Sequence, residues 1–377
     1  MKRVSLFTGT IFSVLLIVEL GYRILNPYPY FSDEEINATQ HGNLSEYDPL
    51  LGWKGVPGRK ERFVSRNNSV IIEHNRFGFR DIEHDVPSGK PAIVFLGDSF
   101  AWGFEVEFDE MFVNILREKF KDYEIFNLSH RGYGNDQELL TFERWEYNKP
   151  TKYVILIFTD DDVGNNNSNN EYDKPKPKFE IAGDELILTG MPVPKIQNWN
   201  EKKTTQVKDS WRELKDDTKK FLFKSHFLHA MYRRWLNFKF QYITPDTPEE
   251  KSGDENSKLN KEKFQEGLVL TSRIILELEK KVIERGGKLI VVFVPSGYES
   301  HYADGSAHYP DSIKVIIERM GIICLDLQPY FQNTWREPYY RYDGHLNPYG
   351  HRIAADSIYN FLIRNTDLKT DSELMRN

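Results

Sequence analysis

Phe95-Leu96-Gly97-Asp98-Ser99-Phe100 closes an apolar run, Ala92 to Leu96, that has the length and content of a buried strand. The serine therefore stands in the turn at that strand's carboxyl end. Far along the chain, Tyr342-Asp343-Gly344-His345-Leu346-Asn347 sets an aspartate and a histidine in a loop. A helix follows that Asn347 can cap and Pro348 can start. A serine hydroxyl is a weak nucleophile at neutral pH. It needs a base beside it, and the base needs a group that fixes its tautomer and offsets its charge. Ser99, His345 and Asp343 supply those three parts. Each motif alone has a plainer reading, Ser99 as a helix cap and Asp343-Gly344-His345 as a loop. Their pairing favours chemistry.

Outward from this pair, the chain alternates strands and helices. Asp109 can cap a helix carrying Met111, Phe112, Ile115, Leu116 and Phe120 on one face. A strand near Ile125-Phe126, a loop at Gly132 and a helix from about Asp136 to Tyr147 follow. The strand Tyr153 to Phe158 ends at Asp160-Asp161-Asp162. The pattern breaks over 165–259, an insertion with a hairpin about Gly183-Asp184, a helical stretch Trp211 to Asn237 and a charged loop Pro245 to Asn260. It resumes over 260–365 with a helix Lys263 to Arg285, a strand Lys288 to Val294, a helix to about Met320, a strand Ile322 to Leu327 and a last helix Pro348 to Ile363. Residues 91–164 and 260–365 thus form two parts of one core. Residues 31–90 form an extension with a short strand or two, and 366–377 a tail. Repeated strand–helix units predict a mainly parallel sheet covered on both faces, with ligands at the strands' carboxyl ends.

These residues resemble the SGNH (GDSL-type) hydrolase superfamily. Gly97-Asp98-Ser99-Phe100 looks like its first block, Asn127-Leu128-Ser129-His130-Arg131-Gly132 its second and Asp343-Gly344-His345 its last. Gly52-Trp53 and Asn75-Arg76-Phe77-Gly78-Phe79-Arg80-Asp81 are similar to membrane-anchored bacterial members. The resemblance implies a flavodoxin-like three-layer α/β/α sandwich. It implies Ser99 as nucleophile, His345 as base and Asp343 as orienting carboxylate. The backbone N–H groups of Ser99 and Gly132 would form an oxyanion hole, and neither cofactor nor metal is implied. The expected substrate is an acylated small molecule or glycan, its ester a short O-acyl group such as acetyl.

Two departures stand out. The third block's asparagine, an oxyanion donor, falls here on Asp161. An ionised carboxylate cannot donate and repels a developing oxyanion. Three outcomes follow: a protonated Asp161, a substitute in Asn165 or Asn166, or reduced activity. The Asp-x-His spacing is similar to alginate O-acetyltransferase-like members, which makes an O-acyltransferase the alternative. An idle envelope binding or assembly protein is the second alternative, and Asp161 is its argument.

Competing residues read as structural. His351 packs or caps inside the last helix, Asp326 forms a loop, and Asp98 hydrogen-bonds the Ser99 turn. Consecutive carboxylates at 160–162 point in alternating directions, which disfavours a metal site. His226 and His229 read as a half-buried helix face. The chain has 377 residues, 39% hydrophobic and 14% aromatic, enough for one large core. A net charge of -7 gives no reason to expect nucleic-acid binding. The one cysteine, Cys324, reads as a buried strand residue. At the N-terminus, Lys2 and Arg3 precede an apolar run, Val4 to Val18, and Glu19 and Arg23 stand one helical turn apart. Residues 1–30 are therefore expected to form an uncleaved signal anchor and linker, with the catalytic domain outside the cytoplasm.

Overall fold

A computed structural model describes residues 2–25, 31, 36, 44–65, 67–84, 89–146, 150–159, 161–196, 225, 227, 228, 231, 232, 235, 254–297, 310–332, 334, 337–340 and 344–368. The first element, α1 (Lys2–Leu25), is helical as expected, and Arg23 Nε reaches Glu19 Oε1 at 3.0 Å. Among the described residues, however, no helix is long and apolar enough to cross a membrane. The membrane-anchor expectation is therefore not supported by the fold. Glu19 instead accepts from Ser225 Oγ at 2.7 Å and from the Phe227 N–H at 3.1 Å.

The extension holds two antiparallel hairpins rather than a strand or two. One is β1 (Ser45–Asp48) with β2 (Gly52–Gly55), the other β3 (Lys60–Val64) with β4 (Ser69–Glu73). The core then runs β5 (Ala92–Leu96), α2 (Ser99–Trp102), α3 (Phe112–Lys119), β6 (Glu124–Asn127), α4 (Asn135–Arg144), β7 (Thr151–Phe158) and α5 (Asp162–Asn166). Two small hairpins follow, β8 (Asn170–Glu171) with β9 (Lys174–Pro175) and β10 (Lys178–Ala182) with β11 (Glu185–Thr189). The core resumes with α6 (Asp254–Glu284), β12 (Lys288–Phe293), α7 (Pro310–Arg319), β13 (Ile323–Asp326), α8 (Gln328–Gln332) and α9 (Pro348–Asn365). Helix α6 starts inside the expected Pro245–Asn260 loop. Most of the expected Trp211–Asn237 helix lies outside the described residues.

The five core strands pair in parallel in the order β13-β12-β7-β5-β6. Counting only these strands along the chain, that is 2-1-3-4-5, the flavodoxin-like order. Strand side chains alternate between two cores. Val94, Leu96, Val154, Leu156 and Val291 face α4, α6 and α7, while Ile93, Phe95, Ile155, Ile157 and Val292 face α3 and α9. Both faces are covered, which accounts for continuous apolar strands. Strand order reverses between β5 and β7. The crevice outside the carboxyl ends there is where such sheets bind ligands. The segments carrying Ser99, Gly132 and Asp161 all leave the sheet at that end.

Helix starts show one correction. Asp109 does not cap α3, because it sits inside a 3-10 turn, Phe108–Glu110. The Phe112 N–H instead donates to Nδ1 of His351 at 3.2 Å. His351 is thus a buried cap from α9, its ring stacked on Phe112. Asp326 closes β13, accepting from the Gln328 N–H and pairing with Lys314 at 2.8 Å. Cys324 is half-buried in β13, and burial pushes its thiol up to about 12.

Candidate active site

Ser99 opens α2, and Asp98 rather than Ser99 is the cap. The Asp98 Oδ1 accepts from the Phe100 N–H at 2.9 Å. That leaves the Ser99 hydroxyl free of the capping role it could have filled. Ser99 Oγ lies 2.7 Å from His345 Nε2. His345 sits between the Phe104 and Phe100 rings, with centroids 4.4 and 5.0 Å away. Its loop is pinned by backbone bonds from Tyr340 N to His345 O and from Gly297 N to Gly344 O, both 2.7 Å. Asp343 lies outside the described residues, as do Asp160, His226 and His229.

The turn after α2 is held by a residue that had only been part of a motif. Buried Arg80 donates to the carbonyls of Trp102 at 3.3 Å, Gly103, and Val106 at 2.6 Å. Asp81, next to it, accepts from the Asn127 N–H at 2.9 Å and pairs with Arg117. One dipeptide therefore ties the Ser99 turn to the end of β6.

Gly132 follows β6 with φ +68°, in the left-handed region that glycine reaches without strain. Its loop is braced by the first hairpin. Trp53 Nε1 donates to Arg131 O at 3.1 Å, and Tyr133 Oη donates to Trp53 O at 2.7 Å. Asn127, which opens this block, has its side chain inward, donating to Ala101 O at 3.0 Å. The Gly132 loop and the Ser99 helix are thus joined by a buried amide.

Asp161 is exposed at the start of α5, and its neighbour Asp162 is buried, accepting from the Thr159 N–H at 2.8 Å. The adjacent carboxylates diverge and do not converge on one point. Thr159 Oγ1 lies 2.9 Å from Asp98 Oδ2 and 2.8 Å from Asp161 Oδ1. A hydroxyl has one proton, so it donates to one carboxyl and accepts from the other. Burial, and then the Asp161 charge, push Asp98 up to about 7. Asp98 is therefore the carboxyl of this pair that is pushed toward holding a proton. Burial, with the other carboxylates adding to it, also pushes Glu138 and Asp162 well above the usual range.

Asn166 cannot stand in as an oxyanion donor. Its amide donates to Asn135 Oδ1 and Thr271 Oγ1, both at 2.9 Å, inside the core. Asn165 stays beside Asp161, with Nδ2 3.4 Å from Asp161 Oδ2.

A serine–histidine pair at 2.7 Å, a left-handed glycine after the next strand, and a parallel 2-1-3-4-5 sheet beneath them meet at one strand end. The chain resembles the SGNH (GDSL-type) hydrolases. Several solved structures align over about 70% of it. A member of the lipolytic protein G-D-S-L family from Veillonella parvula DSM 2008 aligns at TM-score 0.39 and 10% identity, over 72% of this chain and 98% of that one. A putative lipolytic G-D-S-L protein from Desulfitobacterium hafniense DCB-2 aligns at TM-score 0.36 and 10% identity, over 72% and 99%. An acetyl xylan esterase, AlAXEase, aligns at TM-score 0.35 and 14% identity, over 71% and 98%. No protein-family model matches the chain, and no curated protein matches it.

Sequence reasoning singled out Ser99, His345 and Gly132, and the structure brings Ser99 and His345 into hydrogen-bond contact. It missed Arg80, Thr159 and Trp53 as supports. Trp53 lies in the Gly52-Trp53 pair and Arg80 in the Asn75–Asp81 stretch, so a signal existed. Thr159 had none, since a threonine after a strand is ordinary.

Proposed function

We propose that the protein is a serine ester hydrolase acting on a short O-acyl ester, acetyl being the expected group, on a glycan or similar polyol. The observation that carries this reading is the 2.7 Å contact between Ser99 Oγ and His345 Nε2 at the carboxyl end of the sheet. That distance lies within the reach a general base needs. With Nε2 unprotonated, the Ser99 hydroxyl donates to it. Ser99 Oγ attacks the carbonyl carbon, and His345 takes the proton. The carbonyl oxygen gathers charge facing the Ser99 and Gly132 N–H groups. The carbon–oxygen bond to the alcohol then breaks, and His345 returns the proton to that oxygen. Water repeats the sequence on the acyl-enzyme and releases the acid. Asp343, carried over from the resemblance, would hold the imidazole tautomer and offset its charge.

The Asp343-Gly344-His345 spacing favours a second reading, transfer of the acyl group to a sugar hydroxyl in place of water. Both readings share the acyl-enzyme. Incubation with a chromogenic acetyl ester, with and without a glycan acceptor, separates them: free acetate alone supports hydrolysis, and acylated acceptor supports transfer. A fluorophosphonate probe should label the wild type and not Ser99→Ala. Equal labelling of both would remove Ser99 as nucleophile, and no turnover of either kind would leave a binding protein.

A further inference from the structure

We infer that Tyr172 bounds the acyl side of the Ser99 site and restricts it to short acyl groups. The inference rests on the esterase reading above and names the substrate class of that site.

Tyr172 and Asp173 form the two-residue turn between β8 and β9, with φ +52° and +60°. Both central residues are left-handed, as a mirror-image hairpin turn requires, and Gly or Asn ordinarily takes those places. A tyrosine there costs roughly 1–2 kcal/mol relative to an unstrained conformation. Strained residues of this kind gather at ligand clamps and active sites.

The turn is not loosely placed. At its base Lys176 is fully buried and paired with Asp136, and it donates to Asn165 O at 3.0 Å. The Lys176 N–H donates to Asn169 O at 3.0 Å. Pro175 O packs so closely on Gly52 that a Cβ on that glycine would lie 2.5 Å from it. A buried ion pair and a backbone-to-backbone contact thus fix the hairpin on the core.

So held, the hairpin lays the Tyr172 ring on Gly132. A Cβ built on Gly132 would overlap Tyr172 Cε2 and lie 3.2 Å from Cδ2. The residue is nonetheless 68% exposed, so the ring is not filling the core. Its phenol feels the charges of Asp161, Glu171, Asp98 and Arg131, and Thr159 joins Asp98, the residue before Ser99, to Asp161. The ring therefore forms part of the wall beside the proposed oxyanion hole.

The chemistry says which part of the ester meets that wall. The carbonyl oxygen points at the Gly132 N–H. The leaving oxygen must point at His345 to receive its proton. The remaining substituent on the carbonyl carbon, the acyl chain, is directed away from His345, and on this reading it meets the Tyr172 ring packed on Gly132. A methyl group fits beside a fixed ring, and a long chain meets it.

The test compares kcat/KM on p-nitrophenyl acetate, butyrate and octanoate for the wild type, Tyr172→Gly and Tyr172→Phe. Glycine suits the left-handed turn, so the hairpin should fold in that variant; thermal melting checks this. The wild type should favour acetate over octanoate by at least about 10-fold, a size set by methylene discrimination in a fixed pocket. Tyr172→Gly should raise the octanoate-to-acetate ratio by at least about 10-fold. Tyr172→Phe, which keeps the ring, should restore the wild-type ratio. A folded Tyr172→Gly with the wild-type ratio overturns the assignment. So does a Tyr172→Phe that behaves like Tyr172→Gly, since the hydroxyl and not the ring would then be responsible. If the wild type turns over none of the three esters, the esterase reading falls, and this assignment with it.

Discussion

The Thr159 hydroxyl stands 2.9 Å from the Asp98 carboxyl and links it to Asp161, 2.8 Å away on the other side. Asp98, the residue before Ser99, and Asp161 are therefore joined through one hydroxyl. This link has consequences for pH dependence and for substitution at either end.

Asp98 is pushed up to about 7, above its ordinary 3.8, by burial and then by Asp161, while His345 works the other way. Between those two values the folded protein keeps a proton that the unfolded chain has lost. Folding therefore binds protons there, and this group's contribution to stability falls as pH rises from about 4 to about 7. Asp98→Asn should remove that part of the fall, because Asn is neutral throughout and still caps α2. Urea unfolding at pH 5 and pH 8 checks it. The wild type should lose more stability between the two than the variant, by on the order of 1 kcal/mol or more. An identical loss would show that Asp98 does not hold the proton.

Asp161→Asn should keep the fold and raise ester turnover at neutral pH. An amide at this position can donate toward an oxyanion, and the loss of one such donor costs about 100- to 1,000-fold in a comparable hydrolase. Because Asp161 already accepts from Thr159, the gain should fall short of that range. Rates on one acetyl ester from pH 5 to 9 decide it. A lower rate for the variant at every pH would mean that the carboxylate serves another purpose, such as orienting an acceptor.

The two C-terminal histidines should separate cleanly. His345→Ala should lose turnover about as completely as Ser99→Ala, since members of a catalytic unit fail together. His351→Ala leaves the buried Phe112 N–H without its acceptor and should cost about 1–3 kcal/mol of stability. Circular dichroism melts and single-substrate rates on both variants check the split. Burial holds His351 down at about 3, so it stays neutral in the working range and cannot add a titration of its own.

Arg80→Ala should destabilise the fold by roughly 3 kcal/mol or more. It strips a charged donor from three buried carbonyls at the turn that follows Ser99. Turnover should fall with it if the turn shifts. Arg80→Lys should recover only part, since an ammonium cannot span the three carbonyls as the planar fork does. Chemical denaturation together with fluorophosphonate labelling rate reads both effects.

Local pattern was enough to place the strands, the serine turn and the last helix with its Asn347 cap. Apolar runs and caps are properties of neighbouring residues, and they act before the chain folds. It was also enough to pair Ser99 with His345, because each motif lies at the end of a predicted strand or the start of a predicted helix. Other matters depended on contacts across the chain. His351 of α9 caps α3 through the Phe112 N–H, where sequence pointed to Asp109. Asn166 is drawn into the core by Asn135 and Thr271, which removes it from the site. Tyr172 reaches Gly132 because a buried Lys176–Asp136 pair fixes its hairpin. The membrane-anchor expectation drew on composition near the N-terminus, and the described helices do not support it. Sequence determined which elements form and which serine and histidine stand at their ends. Tertiary packing decided which groups satisfy the buried N–H and C=O groups between them. An unsatisfied buried polar group costs about as much as a hydrogen bond, and its partner can come from anywhere in the chain.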